Sequence, residues 1–242
     1  MQRSSPEPVD GSPLQMLEYW SPRTAAGVER VPESTGRALA ALTLALRGID
    51  EIEDHLELDA ATKIDLLTRI GDACRIGVDA SDVTAGRADL CQVSMRIDEW
   101  RAFTPPDLRP RIDSEVAVMA WRLAYWVERD WPFSTKTELD MYIYDTGVAY
   151  ALAFDDFATI TLGTQADRRK AVAMAVGAHL AHIVGDLGED RDRGVDYCPD
   201  DWTDDDLRAY AKRMRPAIDE WRAQYEPGPF GGFTSAIFDG RY

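Results

Sequence analysis

Asp50-Glu-Ile-Glu-Asp54 and Asp186-Leu-Gly-Glu-Asp190 place two carboxylate pairs, each with members four residues apart, 136 residues from one another. In a helix, side chains four apart are neighbours, roughly 5–6 Å between Cβ atoms, so each pair can present both carboxylates to one cavity. Mg²⁺ takes oxygen ligands and keeps several waters, which suits sparse carboxylates completed by substrate phosphates. The chemistry these residue types suggest is therefore magnesium and diphosphate. Spacing alone decides little in a chain with 43 acidic residues, since Asp192/Asp196, Asp196/Asp200 and Asp200/Asp204 repeat the interval in what reads as a solvated acidic turn. What sets the first two pairs apart is context. Residues 38–46 are uncharged ahead of Arg47 and Asp50, and residues 171–184 are nearly so ahead of Asp186. A carboxylate at the inner end of an apolar helix needs a partner or a metal.

The neighbours of each pair fit an anion site. Arg47 precedes Asp50, Glu51, Glu53 and Asp54, and its planar fork could contact a phosphate oxygen; an exposed helix end with an intrahelical Arg47–Glu51 pair is the plainer alternative. Arg191, Arg193 and Tyr197 follow Asp186, Glu189 and Asp190, where the alternative is a helix running into a charged loop. His179 and His182 share a helical face with Asp186, which could be a metal set or pocket lining. Tyr142, Tyr144, Tyr150, Trp121, Trp126 and Phe154 form an aromatic population on neighbouring helices; such rings can stabilise cations, though at helical spacing they also build cores. The chain holds no Gly-rich nucleotide loop or nucleophile elbow.

The elements that must position these residues all read as helices. Residues 36–54, 59–76, 82–101, 111–129, 137–154, 167–190 and 203–225 carry helical periodicity or caps, with Pro105-Pro106 and Asp130-Trp-Pro132 as breaks. Strand patterns are scarce. The expectation is a flexible segment over 1–13 and one all-α domain of seven or eight helices over 14–242.

Composition narrows the function classes. The 242 residues suffice for a substantial core, and 45% apolar residues with seven tryptophans fit a packed protein. A formal charge of −16 argues against nucleic acid as a partner. Cys74, Cys91 and Cys198 are odd in number and unpaired in spacing, which suggests a reduced, cytoplasmic setting. No run is expected to reach the roughly 18–20 apolar residues of a transmembrane helix, and residues 1–13 lack the apolar core of a signal peptide.

The segment Leu44-Ala-Leu-Arg-Gly-Ile-Asp-Glu-Ile-Glu-Asp54 resembles the first aspartate motif of the squalene and phytoene synthases. Asp186-Leu-Gly-Glu-Asp-Arg-Asp-Arg-Gly-Val-Asp-Tyr-Cys-Pro199 resembles their second, the more specific of the two. Between them, Glu128-Arg-Asp130 and Glu138-Leu-Asp-Met-Tyr142 stand where that family has acidic and tyrosine segments. The resemblance, from about Ser21 to Trp202, implies an isoprenoid-synthase-type helical bundle around a central cavity and Mg²⁺-assisted ionisation of an allylic prenyl diphosphate, with Mn²⁺ as a substitute ion. By position it implies Asp50, Asp54, Asp186 and Asp190 as metal ligands, with Glu189 and His182 as further candidates. It implies Arg47, Arg191, Arg193, Tyr197 and Ser21 at the diphosphate, Tyr142 at the reacting chain, and His179, Tyr144 and Phe154 in the pocket.

Departures from the family pattern are specific. His179 and His182 replace the usual Gln and Asn, Gly185 replaces an Arg, and Ser21-Pro-Arg-Thr24 only partly echoes the family's Ser-Arg-Ser-Phe. Only 52 residues follow Asp190, and Pro227-Gly-Pro-Phe-Gly-Gly232 is expected to close the last helix where relatives add more. These features favour a terpene synthase acting on one C15 or C20 prenyl diphosphate. Head-to-head coupling of two prenyl diphosphates is the alternative, and a non-catalytic prenyl-lipid binder the third reading.

Overall fold

The computed structural model describes residues 7–84, 86–129, 133–192 and 194–238. Helix α1 (Pro13–Trp20) starts in a capping box between Ser12 and Gln15, and α2 (Pro22–Val28) follows at once. The central helix is α3 (Glu33–Glu53), with fifteen of its residues buried. Helix α4 (Ala60–Ile76) is capped by Asp59, which accepts from the Thr62 amide at 2.7 Å, and it stops where Gly77 turns to φ +72°. Three short helices follow, α5 (Ser81–Thr84), α6 (Gln92–Met95) and α7 (Ile97–Phe103), then α8 (Arg109–Glu128). Helix α9 (Lys136–Ile143) passes through a π-helical turn, Tyr144–Val148, into α10 (Ala149–Leu162). Helix α11 (Arg168–Asp192), α12 (Asp204–Met214), α13 (Pro216–Arg222) and α14 (Pro229–Phe238) complete the chain.

The all-α expectation holds, with no strand among the described residues. Among the described residues fourteen α-helical segments replace the expected seven or eight. Residues 82–101 are not one helix, because the backbone reverses at Gly86, φ +74°, and restarts at Cys91. The helix expected over 203–225 breaks at Pro216, which has no amide proton to donate and opens α13 instead. Pro227–Gly232 does not close the fold: Pro229 is the first residue of α14, where a proline costs no hydrogen bond. The expected break at Asp130-Trp131-Pro132 lies outside the described residues. Within the segment expected to be flexible, the Glu7 carboxylate accepts from Trp20 Nε1 and from the amides of Gln92 and Val93 at the start of α6.

Helix α3 packs against α1, α2, α6, α7, α8 and α10, whereas α11 packs against α9, α10, α12 and α13. Helix α10 touches both, which links the two motif-bearing helices. One expectation is corrected at α11, which is long and apolar enough by composition to cross a membrane, with 39% of its apolar window buried inside the bundle. It is a packed helix of this fold, carrying the second carboxylate pair at its end.

Gly177 shows how closely α11 is held. A Cβ there would lie 2.7 Å from the Met214 carbonyl oxygen at the α12–α13 junction. Backbone cannot yield as a flexible side chain can, so Gly177→Ala is expected to lower stability by about 1–3 kcal/mol despite alanine's better helix propensity. Chemical denaturation of the two proteins measures this directly.

Candidate active site

The first carboxylate group forms as α3 ends. Glu53 is buried, Asp50, Glu51 and Asp54 are partly exposed, and Asp54 is the residue at which the helix stops. Arg47 lies one turn back, donating to Asp50 at 2.7 Å and to Glu51. The intrahelical Arg47–Glu51 pair is thus present, and the Trp20 ring covers the guanidinium at 5.2 Å. Burial works against the Arg47 charge, but Asp50, Glu51 and Asp54 more than offset it and hold its pKa above the ordinary value. Arg47 is a fixed cation at the edge of an acidic cluster.

The second group forms as α11 ends. Asp186 and Glu189 are exposed, and Asp190 is buried, 6% accessible. Arg191 is paired with Asp196 and Asp204, from 2.7 to 3.2 Å, on the outer side of the loop. Arg193 lies outside the described residues. Ser21 sits at the α1–α2 junction with its hydroxyl 2.7 Å from that of Thr24.

Tyr197 joins the two groups. Its phenol is pushed above the ordinary tyrosine range by burial first, then by Glu53, and also by Asp54 and Asp190. One buried oxygen therefore feels carboxylates from both helices. Tyr142 stacks on it, ring centroids 5.2 Å apart, with the hydroxyls at 3.2 Å. The Tyr142 pKa is also raised well above normal, by burial, Tyr197, Glu53 and Asp50. Both tyrosines stay protonated phenols.

Around that pair the walls are aromatic. Trp126 meets Tyr142 edge-on at 5.5 Å, and Phe133 stacks on Tyr197 at 5.6 Å. The Asp200 amide donates to the Phe133 carbonyl at 3.2 Å, which ties the loop beyond the second carboxylate group to this wall. Trp126 donates to Asp145 at 3.1 Å, and Asp145 also pairs with Arg122. Two expected pocket residues fall elsewhere: Tyr144 is 47% exposed beneath Arg122, and Phe154 packs in the core against Tyr150 and Phe233. Trp126 carried an aromatic signal in sequence, whereas Phe133 carried none beyond its residue type.

The two histidines part company. His182 is exposed, while His179 is half-buried, 5.6 Å edge-on from the Tyr142 ring. Burial lowers the His179 pKa from 6.5 to about 4. The folded protein thus disfavours imidazolium: the stability held by the neutral ring is present above pH 6.5 and is lost as pH falls toward 4. Relative to His179→Gln, the parent protein is expected to lose up to roughly 3 kcal/mol over that window, read from pH-dependent denaturation.

Among the described residues, no three His, Cys, Asp or Glu side chains stand close enough to hold a metal ion by themselves. A Mg²⁺ ion bound by one or two carboxylates plus substrate oxygens and water would not require such a cluster. A separate groove of about 740 Å³, lined by residues such as Leu14, Val28, Gly36 and Phe103, lies at the opposite end of α3 and shares no residue with this site.

No family model and no curated protein sequence matches the chain. Among solved structures it is similar to the squalene synthase TcSQS in complex with the ligand E5700, with TM-score 0.76 and 15% identity over 92% of this chain and 73% of that one. It is similar also to TcSQS with the ligand BPH1237, with TM-score 0.74 and 16% identity over 92% and 74% of the two chains. The fold is that of a squalene/phytoene-synthase-like helical protein.

Proposed function

We propose that the protein is a Mg²⁺-dependent isoprenoid synthase that ionises one allylic prenyl diphosphate, of C15 or C20 length, and converts the carbocation to a terpene. The observation that carries this reading is that Tyr197, paired with Tyr142, feels carboxylate charge from both α3 and α11 in a squalene-synthase-like fold. Asp50, Asp54, Asp186 and Asp190 would hold Mg²⁺ together with diphosphate oxygens, and the ion would neutralise charge developing on the leaving group.

The chain's own residues supply the rest. Arg47, already positioned by Asp50 and Glu51, adds a fixed positive charge near the leaving group. Trp126, Phe133, Tyr142 and Tyr197 line a surface with few competing nucleophiles, and ring faces stabilise a cation. Their phenols remain neutral, so no phenolate is present to trap it.

The test is incubation with Mg²⁺ and geranyl, farnesyl or geranylgeranyl diphosphate, following diphosphate release and extracting products for mass spectrometry. Release with a product of the substrate's own carbon number supports the proposal. A doubled-carbon product would establish head-to-head coupling, the second reading, which the likeness to squalene synthase favours. Absence of release with all three substrates would leave the prenyl-lipid-binding role.

A further inference from the structure

His179 is an oddity among the polar groups of the bundle. It sits mid-helix in α11, half-buried, with no hydrogen bond or ion pair to either ring nitrogen among the described residues; burial is the sole cause of its lowered pKa. A half-buried imidazole with no protein partner leaves a ring-nitrogen lone pair open to a bound molecule.

Its surroundings hold it at a defined depth. Seven residues separate it from Asp186, about 10 Å along the helix axis, too far to share an ion with that carboxylate. Tyr142 meets it from one side. From another comes Gly147, in the π-helical turn, where a Cβ would stand 3.0 Å from Nδ1. Tyr142 thus neighbours both the Tyr197 phenol and the imidazole ring.

We infer that His179 takes the proton that ends the reaction, so that the product leaves as an unsaturated hydrocarbon. This rests on the ionisation reading above. A C–H bond beside the cationic carbon breaks, its electron pair becomes the second bond of a new C=C, and the proton goes to the unprotonated ring nitrogen. The imidazolium then returns that proton to water as the products leave. A neutral imidazole does not repel the ion it must approach, and a carbocation's neighbouring C–H is acidic enough for a weak base to suffice. The two phenols, held protonated, cannot compete for this role.

The experiment compares the parent with His179→Gln, which keeps polarity and approximate size but is not basic. Each is given Mg²⁺ and farnesyl or geranylgeranyl diphosphate, and released diphosphate, hydrocarbon and alcohol are quantified. Expected is a hydrocarbon share at least about tenfold lower per diphosphate released, with water capture yielding alcohol. An unchanged hydrocarbon share at undiminished release would overturn the inference and assign the proton to the departing diphosphate. No release even by the parent would overturn the ionisation reading, a distinct result. Should His179→Gln fail to fold, Gly147→Ala pushes the imidazole aside by a few tenths of an ångström while retaining it. It is expected to redistribute double-bond isomers, and an unaltered isomer pattern would count against His179.

Discussion

Asp190→Asn is expected to slow diphosphate release from an allylic prenyl diphosphate by about 100-fold or more, equivalent to ~3 kcal/mol of transition-state stabilisation. Asp190 is the buried carboxylate of the second group, and its charge reaches the same phenol as Glu53 and Asp54. Asparagine preserves its shape and removes the charge that would hold a cation. Asp190→Asn is expected to remain folded, read from its circular dichroism spectrum, so that the fall in rate is separated from misfolding. Asp54→Asn is expected to behave alike. Asp200→Asn, in the exposed acidic loop, is expected to leave release unchanged, and chelation of Mg²⁺ to abolish it in the parent. Undiminished release by Asp190→Asn and Asp54→Asn would remove these carboxylates from the proposed machinery.

The second large effect concerns stability. Arg101 is fully buried in α7, donating to Asp113 at 2.7 Å and to the Val78 carbonyl at 3.0 Å, and pairing with Asp98. Burial opposes its charge, and hydrogen bonding to Asp113 and the carboxylate charges overcome that opposition and raise its pKa. Arg101→Met would strand Asp113 and Asp98 in a dry environment and is expected to lower unfolding free energy by about 3–5 kcal/mol. That is a large part of the roughly 5–15 kcal/mol typical of a domain. Lysine should rescue little, since it lacks the planar fork that serves several acceptors at once. Arg101→Met combined with Asp113→Leu is expected to recover part of the loss, because the pair is then replaced by apolar packing. Denaturant titration of the three variants reads this out, and a loss below about 1 kcal/mol for Arg101→Met would refute it.

Helices α3 and α11 were legible because long apolar runs ending in charge leave few other solutions, and α4 because Asp59 caps it and Gly77 ends it. The stretch over 82–101 misled because apolar residues at helical intervals do not reveal that Gly86 takes positive φ between them. Helix α14 was hidden by Pro229, which reads as a breaker in sequence yet is harmless in the first turn of a helix. At the site, the aspartate pairs were visible as local intervals. The influence of the Glu53 charge on Tyr197 spans 144 residues, and the stacking of Phe133 on Tyr197 depends on how a loop returns to α9; no local pattern encodes either.

The π-helical turn at Tyr144–Val148 bears on how this chain should be compared with others. Such a turn accommodates one residue more than an α-helix of the same rise, so it acts as an insertion absorbed without a loop. Side chains before it, Tyr142 among them, are rotated by about 100° relative to those after it, compared with an uninterrupted helix. An ungapped alignment drawn through 136–162 is therefore in register with a continuous-helix relative on one side of the turn only. Removing one residue between 144 and 148 would restore a continuous helix and swing Tyr142 away from Tyr197, a deletion that keeps every named side chain and dismantles their arrangement.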